Sequence, residues 1–183
     1  SLVEPFQGDL AQLESFSMVV PSPGISKMHP VIQKALDLNI PLIGEAELGL
    51  KELTQKKIGI TGTNGKTTVT SLVEHVLIFS GKKAKALGNI GHSLAEYALD
   101  PNLDEIAVVE LSSYQLETMY TPVLDAAVVL NITPDHLDRY ATMEEYAIAK
   151  ARIQYALKES GTLFLYEEVA KEYGYLFQRP FTT

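Results

Sequence analysis

Short apolar runs alternate with helical spacing along most of the chain. "KIGIT" ends at Thr61 and reads as a strand, and Lys66 to Ser80 follows with helical periodicity. "KAKAL" is a second strand that runs into "GNIGH", and Ser93 to Leu99 reads as a helix. "EIAVVEL" and "DAAVVLNI" are apolar enough to be strands buried on both faces. "TMEEYAIAKARIQYALK" carries a helix, and "GTLFLY" returns to a strand. The end, "RPFTT", offers no convincing element. Apolar strands alternating with helices predict an α/β fold, a mostly parallel sheet with helices on both faces.

The first part of the chain reads differently. Ser17 to Val20 predicts a short strand that stops at the Pro/Gly turn of "PSPGI". Val31, Ala35 and Leu38 have helical spacing, Pro41 to Ile43 a short strand, and another helix starts after it. These elements suit the end of a separate, Rossmann-like α/β domain, with a boundary near Thr54 to Lys56. The predicted division is therefore 1–55 and 56–183.

Composition narrows the function. The 183 residues suit one domain, or one domain plus a piece of another. A net charge of -8 supplies no basic surplus for nucleic acid. No apolar run reaches membrane-spanning length, so no membrane partner is expected and the cytoplasm is the default location. There is no cysteine, which excludes disulfides and thiolate metal sites. The start lacks Met, and the chain is expected to be a piece of a longer protein.

The chemistry concentrates after the first apolar strand. "GTNGKTT" turns from strand to helix, although it fails the pattern G-x-x-x-x-G-K-[ST], because position 60 is Ile60. The mechanics survive the mismatch. Gly62 and Gly65 let the backbone wrap an anion, and the N–H groups of Thr63, Asn64 and Thr68 and the helix N-terminus favour negative charge. Lys66 would reach terminal phosphates and Thr67 would offer a hydroxyl to Mg²⁺. The plainer alternative is a capped glycine turn with Lys66 in solvent.

In a parallel sheet, ligands bind beyond the carboxyl ends of the strands. Glu110 ends an apolar strand there and suits Mg²⁺, or else a local hydrogen bond. His136 lies in a polar turn with Asp135, Asp138 and Arg139, the two aspartates being alternative helix caps. Asn89 follows a strand in the same way. On a helical wheel, Lys150 falls among Met143, Tyr146, Ala147, Ile153, Gln154 and Leu157. It either snorkels out of that face or points its amine at the active edge.

Together, "GITGTNGKTT", "LGNIG", "VVELSSYQLE", "LNITPDHLDRY" and "YAIAKARI" resemble the Mur ligases of peptidoglycan synthesis. Within the family, "ELSSYQLE" most resembles members that join D-glutamate to UDP-N-acetylmuramoyl-L-alanine. The resemblance runs from about Ser17 to Ile153, and the family's own phosphate loop has this shortened spacing. It implies a uridine-nucleotide domain, a central ATPase of P-loop type and a C-terminal amino-acid domain. This chain would hold the end of the first and much of the second. The third would be absent, and the piece inactive alone.

The resemblance also implies residue roles. Lys66 contacts the β- and γ-phosphates of ATP. Thr67 and Glu110 hold one Mg²⁺, and His136 contributes to a second. Lys150 matches a lysine that CO₂ converts to a carbamate, an anion able to hold a cation. Asn89, Ser112, Gln115 and His136 would meet the muramoyl substrate, Gly24 would line the site of its uridine diphosphate, and the full-length enzyme would be a monomer. The rival readings are another Mur ligase, a folylpolyglutamate synthetase-like ligase and an unrelated P-loop NTPase.

Overall fold

The computed structural model describes residues 8–26, 28–137 and 139–183. Six strands form one sheet: β1 (Lys57–Thr61), β2 (Ala84–Gly88), β3 (Ile106–Glu110), β4 (Leu124–Val129), β5 (Leu157–Leu165) and β6 (Phe181–Thr182). Their order is β2-β3-β1-β4-β5-β6, and every pairing is parallel. The predicted α/β class is therefore found. β1 is central because its residues serve both faces: Ile60 packs on one side, while a Cβ at Gly59 would press on Leu124 and Leu111 of the other core.

The two faces are covered unequally. One carries α3 (Lys66–Phe79), which packs Val69, Val73 and Leu77 over Ile60, Ala84 and Val108. The other carries α2 (Glu45–Glu52), α4 (Leu94–Tyr97), α5 (Ser113–Glu117), α6 (Met143–Ala151) and α7 (Glu167–Tyr173). They bury Leu50, Leu94, Leu116, Tyr146 and Val169 against Leu87, Val109, Ala127 and Leu163. Neighbouring strand residues thus point to opposite cores, as the pleat requires.

α1 (Pro30–Asp37) belongs to the first segment. Its flanking strands shrink to a single parallel bridge between Val19 and Leu42, since two short strands without a sheet are marginal. α2 behaves otherwise. Ala46, Leu50 and Leu53 enter the main core, and Gly49 passes so close to α4 that a Cβ would lie 2.4 Å from the Leu94 carbonyl carbon. Buried Glu47 ties α2 to the Tyr120–Thr121 loop through the Tyr120 N–H and the Thr121 hydroxyl.

Three local expectations are corrected. The helix predicted through Lys158 stops at Ala151, continues as a 3₁₀ turn to Ala156 and gives way to β5 at Leu157. Pairing of Leu157 with Leu124 wins over helical periodicity there. α5 and α7 form where no helix was expected, and the terminal "RPFTT" adds β6 to the sheet edge. No helix among the described residues is long and apolar enough to cross a membrane.

Candidate active site at the phosphate loop

The loop leaves β1 at Thr61 and enters α3 at Lys66. Gly65 caps the helix at φ 78°, a conformation costly for any residue with a β-carbon. No side chain caps this end, so the first helical N–H groups remain for an anion. Asn131, just past β4, braces the loop. Its Oδ1 accepts the N–H of Thr63 at 3.0 Å and of Asn64 at 2.8 Å, and its Nδ2 donates to the Asn64 carbonyl at 2.9 Å. Thr133 adds a second brace, accepting from the Thr63 hydroxyl through its carbonyl at 3.2 Å. Asn131 was missed as a site residue; its signal was an amide directly beyond an apolar strand.

Two lysines converge on the loop. Lys66 Nζ donates to the Thr63 carbonyl at 2.8 Å, so it is folded over the loop rather than free in solvent. Lys150 Nζ donates to the Gly62 carbonyl at 2.8 Å and lies 4.5 Å from the Tyr146 ring centre. Its side chain reaches inward from α6, and the residue is 1 % exposed. Burial pushes its ammonium down to a pKa of about 7, Lys66 pushes the same way, and Asp135 opposes them.

Glu110 is 2 % exposed at the end of β3. One carboxylate oxygen accepts the Thr67 hydroxyl at 2.8 Å, and the other accepts Asn89 Nδ2 at 2.9 Å. Thr67, Glu110 and Asn89 therefore meet in one cluster beside the loop. Hard oxygen donors of this kind suit Mg²⁺, which keeps waters and phosphate oxygens as its other ligands. Among the described residues no three His, Asp or Glu side chains converge on one point, so protein groups alone would not complete a shell.

The remaining predicted residues sit farther along the same edge. Ser112 and Gln115 form a reciprocal capping box on α5, with the Ser112 Oγ accepting from the Gln115 N–H at 3.2 Å. Gln115 and Gly24 also line a cavity of about 150 Å³ between the "SPG" turn and α5, together with Tyr114 and Arg139. Arg139 bridges that gap, donating to the Gly24 carbonyl at 3.0 Å and to buried Glu117 at 3.2 Å. His136 projects from the turn after β4, with Nδ1 3.1 Å from the Tyr114 hydroxyl. Asp135 does not cap a helix: it accepts the His136 N–H at 2.8 Å, and Thr142 caps α6. Asp138 lies outside the described residues.

A sequence model described as the Mur ligase middle domain matches residues 60–178. The chain belongs to the Mur ligase family. The UDP-N-acetylmuramoylalanine--D-glutamate ligase of Protochlamydia amoebophila is 53% identical over 171 residues, covering 93% of this chain and 38% of that protein. The enzyme of the same name from Desulfatibacillum aliphaticivorans is 42% identical over 144 residues, 77% of this chain and 32% of that one. The matched stretch thus spans about a third of the length of these Mur ligase relatives. Among solved structures, the UDP-N-acetylmuramate:L-alanyl-γ-D-glutamyl-meso-diaminopimelate ligase of Neisseria meningitides matches with a TM-score of 0.57 and 18% identity. That match covers 94% of this chain and 60% of the other, and it shows a shared fold.

Proposed function

We propose that this chain is the nucleotide-binding part of an ATP-dependent ligase that joins D-glutamate to UDP-N-acetylmuramoyl-L-alanine. The observation that carries the proposal is the inward amine of Lys150, meeting Lys66 at the phosphate loop beside the Thr67–Glu110 pair. An ordinary phosphate loop has no need of a second lysine, least of all a buried one. The names of the similar proteins support the choice of substrates. Residues 56–183 serve as the central ATP-binding domain and 1–55 as the end of the uridine-nucleotide domain, with α2 packed into the central core. The full-length enzyme acts as a cytoplasmic monomer, and D-glutamate meets a domain that lies outside this chain.

Two anions must meet in such a reaction, a carboxylate and a triphosphate, and their repulsion is large where water is excluded. The chain answers with position and charge. The loop from Gly62 to Thr68 wraps the phosphates: Asn131 holds the N–H groups of Thr63 and Asn64, those of Gly65 to Thr68 are offered to the phosphates, and Lys66 neutralises the β- and γ-oxygens. Thr67 and Glu110 would hold Mg²⁺, and His136 would contribute to a second ion. When bound, the metal draws off the charge that develops on the transferred phosphoryl group. Gly24, Asn89, Ser112, Gln115 and His136 orient the muramoyl substrate, whose carboxylate takes the γ-phosphoryl group of ATP. The amine of D-glutamate then displaces phosphate from the acyl phosphate.

Lys150 takes part as a carbamate. Its neutral amine forms an N–C bond to CO₂ and releases one proton, and the new carboxylate would supply an oxygen donor for a cation. The lowered pKa keeps neutral amine available near pH 7. The test is ADP release by the full-length protein. Release that requires both UDP-N-acetylmuramoyl-L-alanine and D-glutamate is expected. Preference for another acceptor would move the reading to a different Mur ligase, and ADP release independent of both to an unrelated ATPase.

A further inference from the structure

His136 sits at φ 53°, in the left-handed region that a non-glycine residue enters at a cost. Its turn pins the backbone there. Asp135 accepts the His136 N–H, and the His136 carbonyl accepts the N–H groups of Arg139 and Tyr140, each at 3.0 Å. With the backbone fixed, the ring is oriented by its own contacts. Nδ1 lies 3.1 Å from the Tyr114 hydroxyl, and Nε2 faces Asp135 Oδ2 at 3.6 Å. The Tyr114 ring packs 5.1 Å from the imidazole, centre to centre.

Tyr114 is itself held firmly. The Arg139 guanidinium lies 4.4 Å above its ring centre, and that guanidinium is tied to Glu117 and to the Gly24 carbonyl. A neutral imidazole has one donor and one acceptor nitrogen, so a partner on one fixes the role of the other. With Asp135 beside Nε2, the favoured arrangement puts the proton on Nε2 and leaves Nδ1 to accept from Tyr114.

We propose that Tyr114 is a positioning residue for His136, its hydroxyl holding Nδ1 and so keeping Nε2 turned toward Asp135. A hydroxyl is suited to this because it both donates and accepts. It donates to Nδ1 in the ligand-free chain. Where Nε2 gives its lone pair to a cation, the ring proton moves to Nδ1 and the hydroxyl turns to accept it, the usual support for a ligating histidine. A carboxylate could only accept, and phenylalanine could do neither. The cation part of this inference rests on the proposed role of His136.

The test uses Tyr114→Phe in the full-length protein, which removes one oxygen and keeps the ring. ¹⁵N spectra of the His136 ring at pH 8 read the tautomer without any need for turnover. The unaltered chain is expected to show Nε2–H with a hydrogen-bonded Nδ1. In Tyr114→Phe the Nδ1 signal is expected to move to the value of a nitrogen without that hydrogen bond, while amide shifts far from the site stay in place. Unchanged ring signals in the variant would overturn the proposal. Mn²⁺ as a probe separates the two layers. Line broadening at His136 at about fivefold higher Mn²⁺ in the variant supports the positioning role, and equal concentrations count against it. No broadening in either protein, with the change at Nδ1 intact, removes the metal role of His136 and leaves the Tyr114 pairing standing.

Discussion

Lys57 and Lys150 are both buried lysines, and they serve opposite ends of one strand. Lys57 begins β1 and is 3 % exposed; Lys150 reaches the loop where β1 ends. Each gives its ammonium to a backbone carbonyl, Leu53 for Lys57 and Gly62 for Lys150. Burial lowers the pKa of both. The charges around them also match in kind: a second lysine pushes each further down and an aspartate opposes it, Lys158 and Asp125 for Lys57, Lys66 and Asp135 for Lys150. The difference lies in the place. Asp125 also binds Lys56, Lys158 and the Lys57 N–H, so Lys57 sits in a network of ties at the start of β1. Lys150 and Lys66 both turn onto the phosphate loop, at the carboxyl end of the sheet. Burial and a neighbouring cation therefore do not mark function by themselves. A buried amine at the carboxyl end of the sheet does.

The comparison is most exposed to activity. In the full-length ligase, Lys150→Met is expected to lower turnover by about a thousandfold, the scale of losing an electrostatic group at the reacting centre. Lys57→Met should leave turnover within about threefold, since its environment touches no reacting group. Equal losses in a steady-state ADP assay would erase the distinction.

Stability against pH is the next largest effect. Lys150 titrates near 7 in the folded chain and near 10.5 when exposed. Between these values the unfolded chain binds a proton that the folded chain does not, so stability rises as pH increases through the window. Below about pH 7 both states are charged, and the cost of the buried ammonium is complete. Urea unfolding should show a gain on the order of 3 kcal/mol from pH 7 to 9.5. Lys150→Met should flatten most of that slope, and Lys57→Met less of it.

Two smaller changes sharpen the structural end. Asp125→Asn weakens three cationic or backbone partners at once and should cost about 1.5 kcal/mol at neutral pH by urea unfolding. Lys57→Met, which only orphans the Leu53 carbonyl, should cost about 1 kcal/mol. A stabilised Lys57→Met would mean that relief from burial outweighs the lost bond.

Much of this site was legible along the chain because its parts are local. The apolar runs that became β1, β3 and β4 announced themselves, and so did the glycine turn, Lys66 and Thr67 of the loop. Lys150 was legible as the odd residue on an apolar helical face. α5 was not, since five residues carry too little periodicity; its only local mark is the Ser112–Gln115 capping box. β6 was hidden for a similar reason, because its two residues are a strand only by pairing with Leu163 and Phe164. Asn131 and Tyr114 looked like ordinary motif residues until their partners, Thr63 and His136, were in place.

The class of fold, the phosphate loop and the family can be read from neighbours along the chain, because periodicity and short motifs are local. What each polar group meets came with the packed fold. It brought Glu110 to Thr67 across 43 positions, Lys150 to Gly62 across 88 and Arg139 to Gly24 across 115. The physical reason is that burial and field belong to the folded surroundings. One lysine type became a tie at the start of β1 and an amine over the phosphate loop at its end, according to where the fold placed it.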